Sequence, residues 1–247
     1  MSYSQQGEAS NSTPAPSAAE VYDTTRFGEL YYGSRQPRVH DLCLAATFLI
    51  QIFERAGIPF AFLGGWAMYM RGSPRQTQDV DIAVGTTMEN LTTLLLQLSV
   101  PLTHGQTSIQ IFIHTGGQFD TGYDAYAVST DIVIGGNLNT PRDIPDGTEL
   151  ITPAEQARLG YLQIRVVDIF FQFHSKLDAF NTRRATGNTG NDYRDLQWLL
   201  RQYPNEIYHC RYALNYNHRS LFFQDLATEN QHAPEYVNYV KTLLGLD

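Results

Sequence analysis

Residues 79–82 read Asp-Val-Asp-Ile, and they follow a glycine pair, Gly64 and Gly65, at the end of the apolar run 59–63. No other stretch limits the possible folds so tightly. Side chains in a strand alternate faces, so Asp79 and Asp81 point one way while Val80 and Ile82 point into a core. Two like charges side by side on one strand face repel, and folding alone gives no reason to place them there. A divalent cation gives one. Mg²⁺, or Mn²⁺ in its place, takes hard oxygen ligands, commonly one or two carboxylates, and completes its shell with water and substrate phosphates. The glycine pair supplies the complement, a backbone that approaches phosphates closely where a helix starts. Residues 59–84 thus predict a strand, a tight turn, a short helix, a polar loop and a second strand.

In this order the residues resemble the signature of the nucleotidyltransferase superfamily typified by DNA polymerase beta. That signature is an apolar residue, Gly-Gly or Gly-Ser, a spacer, then Asp-apolar-Asp. Here it is Leu63-Gly64-Gly65, thirteen intervening residues, and Asp79-Val80-Asp81-Ile82. The superfamily's third carboxylate stands alone on a later strand between apolar residues. Thr130-Asp131-Ile132-Val133-Ile134 has that form and points to Asp131. The local pattern is most similar to minimal nucleotidyltransferases related to AbiEii-type toxins and to small antibiotic-modifying enzymes, over residues 40–200.

The resemblance implies an α/β nucleotidyltransferase fold, a short mixed sheet flanked by helices with a helical C-terminal part. The implied activity is metal-dependent transfer of a nucleoside monophosphate from an NTP to a hydroxyl or phosphate acceptor, with release of pyrophosphate. Asp79, Asp81 and Asp131 would hold Mg²⁺ or Mn²⁺, with Asp131 also helping to deprotonate the attacking hydroxyl. Gly64 and Gly65 would approach the phosphates. The superfamily often has serine at the second of these positions, whose hydroxyl binds a phosphate oxygen. Gly65 leaves only its N–H, so Arg71, Ser73 and Arg75 in the following loop become candidates to support the triphosphate. Lys176-Leu-Asp-Ala179 resembles a helix of the related toxins, and Asp192-Tyr-Arg-Asp195-Leu196 resembles the acidic helix that follows it. Lys176 would then reach nucleotide phosphates as a compact point charge, with Asp195 orienting it or a nearby arginine. The alternative is a catalytically inactive nucleotide-binding or protein-interaction module of the same fold. Retained, mutually repelling acids favour the enzyme.

Apolar content of 43% and charged content of 17% over 247 residues fit a globular chain able to bury a real core. The formal charge of -8 leaves no global basic footprint for nucleic acid. It tilts the acceptor toward a small molecule or a protein over tRNA, without naming it, and nothing specifies the oligomeric state. The two cysteines, Cys43 and Cys210, read as reduced, buried thiols. The first residues lack the regions of a signal peptide, and no apolar run approaches the length of a membrane span. The expected location is the cytosol, or else the nucleus.

Residues 1–20 are poor in large apolar side chains and read as a disordered tail that folding can do without. Residues 21–150 read as the nucleotidyltransferase core, and 151–247 as a mostly helical part packed on it. Apolar residues recur at helical spacing over 38–56, and Gly57 ends that run. Residues 86–98 make a second amphipathic helix. Strands are expected over 109–114, 125–134 and 161–167, with a loop over 137–148. Asp168 is placed to cap a helix running to about residue 183. Further helices are expected over 191–201, 221–229 and 234–244.

Overall fold

A computed structural model describes residues 19–20, 24–97, 107–119 and 121–246. The strand β1 (Ala19–Glu20) and the helices α1 (Thr24–Gly33) and α2 (Val39–Ala56) come first. The central elements follow as β2 (Phe60–Leu63), α3 (Gly64–Met70), β3 (Asp79–Val84), α4 (Met88–Gln97), β4 (Ser108–Thr115) and β5 (Tyr126–Ile134). After them lie β6 (Thr148–Ile151), α5 (Gln156–Leu159) and β7 (Ile164–Val167). Helices α6 (Ile169–Arg184), α7 (Gly190–Gln202), α8 (Pro204–Cys210), α9 (Tyr216–Glu229) and α10 (Pro234–Leu243) complete the order.

Helix α2 forms where its apolar spacing predicts, burying Leu42, Ala45, Ala46, Leu49, Ile50 and Phe53. Its first turn is closed by Asp41, which accepts from the Arg38 backbone N–H at 3.1 Å and from the Arg38 guanidinium at 2.7 Å. Its last turn ends at Gly57, as expected. The strands make one mixed sheet in the order β1-β4-β5-β3-β2-β7-β6. The pairs β3–β5 and β2–β7 are parallel and the rest antiparallel.

Alternation divides the two faces of the sheet. Val80, Ile82 and Val84 of β3 pack with Val128 and Ile132 of β5 into the core that includes α2, Trp66 of α3 and Leu91 of α4. Asp79 and Asp81 therefore fall on the other face, and so does Asp131. The parallel register sets Asp81 opposite Asp131 and Asp79 opposite Ser129.

Three features depart from the sequence reading. The sheet continues past residue 150, because β7 pairs with β2 through Phe62 and Val166 and carries β6 with it. Strand β7 falls within the strand expected over 161–167, but the four residues of β6 have too short a pattern to separate from loop, and their partner defines them. The helical half has its own core from Ile169 onward, which Met68 of α3 joins, and it includes α8, opened by Pro204. Ala19 and Glu20 pair with Ile113 and Phe112 although they belong to the expected tail, because ladder hydrogen bonds require no large side chain. The rest of that tail lies outside the described residues. Asp168 caps α6 as expected, accepting from the Phe171 N–H at 2.9 Å. Cys43 and Cys210 are both free. Among the described residues no helix is long and apolar enough to cross a membrane.

Arg71 ties α3 to this outer edge of the sheet. Its side chain is 2% exposed, and it donates to Glu149 at 2.7 Å and to the Val167 carbonyl at 2.6 Å. Arg71→Met keeps the length but leaves that carbonyl without its donor. Glu149 is partly exposed and regains water, so the expected loss is about 2 kcal/mol. Urea unfolding should show a lower midpoint with an unchanged slope. An unchanged midpoint would mean that the tie adds nothing to stability.

Candidate active site

Strand β2 delivers Leu63 opposite Asp81 in the antiparallel ladder. The chain then turns at Gly64, whose φ of 63° lies in the left-handed region. A Cβ on Gly64 would stand 1.9 Å from Oδ2 of Asp81, so the carboxylate rests on a bare α-carbon. Asp81 also accepts a hydrogen bond from the Gly65 N–H. On the next turn of the strand pattern, Asp79 accepts from the Thr77 hydroxyl at 2.8 Å. Gly64→Ala is expected to strain the turn and push Asp81 aside. Nucleotide transfer, the activity that the sequence resemblance implies, should then be roughly 100-fold slower, the usual cost of a misplacement near 1 Å. Unchanged transfer would show that Asp81 need not lie where this turn puts it.

The acids bear an uncompensated charge. Burial, then Asp79 and Asp131, hold the Asp81 carboxyl well above its ordinary range. Burial, and next the charge of Asp79, pushes Asp131 up to about 6. Opposite them, a polar cleft of about 360 Å³ runs between Gly65, Thr77, Asp79 and Asp81 on one side and Lys176 and Arg183 on the other. Larger hollows of about 430 and 600 Å³ lie elsewhere and hold none of the three aspartates.

The far wall is a lattice of alternating charges. Asp195, 1% exposed, accepts two hydrogen bonds from Arg75, each 2.7 Å, and pairs with Lys176 at 2.9 Å. Burial alone would raise Asp195, but Arg75 and Lys176 outweigh it and hold the carboxyl below its ordinary range. Asp192 pairs with Arg183 at 2.5 Å and with Lys176 at 3.5 Å. The polar loop after α3 is thus fastened to α6 and α7.

The expected residues Asp79, Asp81, Gly65, Arg75 and Lys176 line one cleft, and Asp131 and Gly64 flank Asp81. Asp195 orients both Lys176 and an arginine, as the sequence suggested. Two loop candidates do not join them. Arg71 turns into the sheet edge, drawn by Glu149 and the Val167 carbonyl. Ser73 is buried beside Arg75 and lines a separate hollow with Trp198 and Arg201. Gln172 was not foreseen. Fully buried on α6, one turn before Lys176, it donates to the Gly64 carbonyl at 3.3 Å and so ties the helical half to the glycine turn. Its one signal is a polar residue within an apolar helix face. Arg183 and Thr77 are further members that local sequence did not single out.

The donor set fits a hard cation: all carboxylate oxygens, with the proton affinity of Asp81 and Asp131 raised by burial and by neighbouring carboxylates. Among the described residues, no three acidic, histidine or cysteine side chains converge on one point. A cation here would take one or two carboxylates and complete its shell with phosphate oxygens and water.

A mixed sheet carrying an acid pair beside a glycine turn, faced by a helical half, defines a nucleotidyltransferase fold. An antigenic nucleotidyltransferase-like protein from Paracoccidioides brasiliensis has this fold, with a TM-score of 0.54 at 17% identity over 83% of this chain and 94% of that one. JHP933 from Helicobacter pylori has a TM-score of 0.48 at 16% identity, over 83% of this chain and 82% of its own. No curated protein is a significant match. The family described as nucleotidyl transferase AbiEii toxin, Type IV TA system, matches residues 48–246, and the chain belongs to that family.

Proposed function

We propose that the protein transfers a nucleoside monophosphate from an NTP to an acceptor hydroxyl or phosphate and releases pyrophosphate. The observation that carries this reading is the pairing of Asp81 with Asp131 across two parallel strands, beside Asp79 and the bare glycine turn. Asp79 and Asp81 hold Mg²⁺ or Mn²⁺ with the triphosphate. When bound, the cation supplies charge neutralisation at the phosphates. Lys176, Arg75 and Arg183 draw the triphosphate against the wall of α6 and α7, exchanging part of their pairing with Asp192 and Asp195 for phosphate oxygens. Gly64 and Gly65 let the phosphates approach the main chain closely.

An acceptor oxygen forms its bond to the α-phosphorus as the bond to the bridging oxygen of the β-phosphate breaks. The proton of an acceptor hydroxyl passes to Asp131, the carboxylate that faces Asp81 across the two parallel strands. Pyrophosphate leaves with the negative charge it gains. Positioning and electrostatics supply most of the rate, since phosphoryl-type transfer needs little covalent help from the protein. The net charge of -8 favours a small molecule or a protein as acceptor over tRNA.

Each NTP, labelled in turn at the α- and γ-phosphorus, should be incubated with Mg²⁺ or Mn²⁺ and with separate small-molecule, protein and RNA fractions. The expected result is α-label in one fraction and γ-label in free pyrophosphate. NTP binding without transfer to any fraction would make the protein a binding module.

A further inference from the structure

We propose that Thr77 is a positioning residue whose hydroxyl sets the Asp79 carboxylate for cation binding, in a space that glycine at position 65 keeps open. This rests on Asp79 being a metal ligand. Thr77 lies in the loop between α3 and β3 and is 6% exposed. Its Oγ1 donates to Oδ1 of Asp79 at 2.8 Å and lies 3.4 Å from the Asp79 carbonyl oxygen.

The same side chain fills the space of the missing one at Gly65. A Cβ on Gly65 would stand 2.4 Å from Thr77 Oγ1, closer than atoms pack, with Thr77 Cβ at 3.0 Å and Arg75 Nη2 at 3.2 Å also tight. The bare position 65 and the hydroxyl at 77 are therefore one device. Gly65 is free to take a side chain only if Thr77 withdraws.

The chemistry explains why the partner is an alcohol. A hydroxyl fixes the rotation of a carboxylate by donating to one oxygen, yet it carries no charge. The full negative charge of Asp79 stays available to a cation. An arginine in that place would hold the carboxylate equally well but neutralise its charge, as Arg75 does in its ion pair with Asp195. Outer partners of this kind typically change metal affinity 10–100-fold when removed.

The test is Mn²⁺ uptake by the full-length protein, followed through the electron paramagnetic signal of free Mn²⁺, with melting curves to confirm folding. Thr77→Val keeps the shape and removes the donor; its Mn²⁺ affinity is expected to fall about 10-fold. Thr77→Ser keeps the donor and should stay close to wild type. The hydroxyl can also be moved. In Gly65→Ser/Thr77→Ala the serine hydroxyl, one bond beyond the new Cβ, points into the space that Thr77 Oγ1 leaves, 2.4 Å from that Cβ. That pair should regain affinity which Thr77→Ala loses, while Gly65→Ala/Thr77→Ala, filling the space without a hydroxyl, should not. Wild-type affinity in Thr77→Val overturns the proposal, as does equal recovery in both double variants. If Thr77→Val fails to fold, the two double variants still decide. In both cases wild type takes up Mn²⁺ and Asp79 keeps its role as a ligand. If wild type takes up none, the metal assignment falls first and the role of Thr77 with it.

Discussion

Replacing Asp81 with alanine is expected to lower kcat/KM for nucleotide transfer at least 1,000-fold while leaving the protein folded. The carboxylate sits at the meeting point of three constraints: the antiparallel ladder with Leu63, the parallel ladder with Asp131, and the bare α-carbon of Gly64. Its neighbours are committed elsewhere: Asp79 is two residues along and held by Thr77, and Asp131 stands on the adjacent strand. Loss of a group that holds a charge-neutralising cation removes about 4 kcal/mol or more of transition-state stabilisation. Folding should survive, since alanine occupies less space and removes a carboxyl that burial and its neighbours disfavour as an anion. Steady-state transfer rates and circular dichroism of the same preparations separate the two effects. Retained turnover would remove Asp81 from the chemistry.

Asp131→Asn should divide function differently and change stability with pH. In the proposed division of roles Asp79 and Asp81 would keep the nucleotide-bound cation, while Asp131 would act on the attacking oxygen, an interaction made chiefly in the transition state. The expected pattern is a large fall in kcat with KM little changed. Intact kcat would place the third acid elsewhere; lost NTP binding would mean that all three carboxylates share one task.

The same variant probes the cost of the site without metal. A carboxyl raised to about 6 in the folded protein binds its proton more tightly there than in the unfolded chain. Below the unfolded value, near 4, it contributes no penalty; as pH rises through about 6 the folded state loses stability. The full cost is up to about 3 kcal/mol, several degrees in melting temperature for a chain of this size. Metal-free Asp131→Asn should therefore melt above wild type at pH 8 and level with it at pH 4, and Mg²⁺ should narrow the gap by stabilising wild type. A gap that is equal at both pH values would show that the carboxyl is not the source.

Much of this site was legible in the sequence because its signals are local. The alternation of Asp79-Val80-Asp81-Ile82 needs no partner strand to set its faces, and the spacing of α2 from Leu42 to Phe53 needs no partner helix. The Asp168 cap follows from one side chain and a backbone N–H three residues on. Each depends on a backbone period of two or 3.6 residues, which the chain carries in its own order.

The tertiary structure decided what distant segments do to one another. Asp81 and Asp131 face each other only because β3 and β5 pair in that register, and a slip of one residue would turn every side chain of one strand to the opposite face. Arg71, Ser73 and Arg75 look alike as polar loop residues. One is drawn into the sheet edge, one is buried beside a neighbouring hollow, and one reaches Asp195, 120 positions away. Strand β6 exists because β7 offers it a ladder, and Thr77 matters because folding brings its hydroxyl against the bare α-carbon of Gly65. The chain's own order determined which groups could bear the chemistry. Burial and strand register, which arise only when remote segments pack, determined which of them meet.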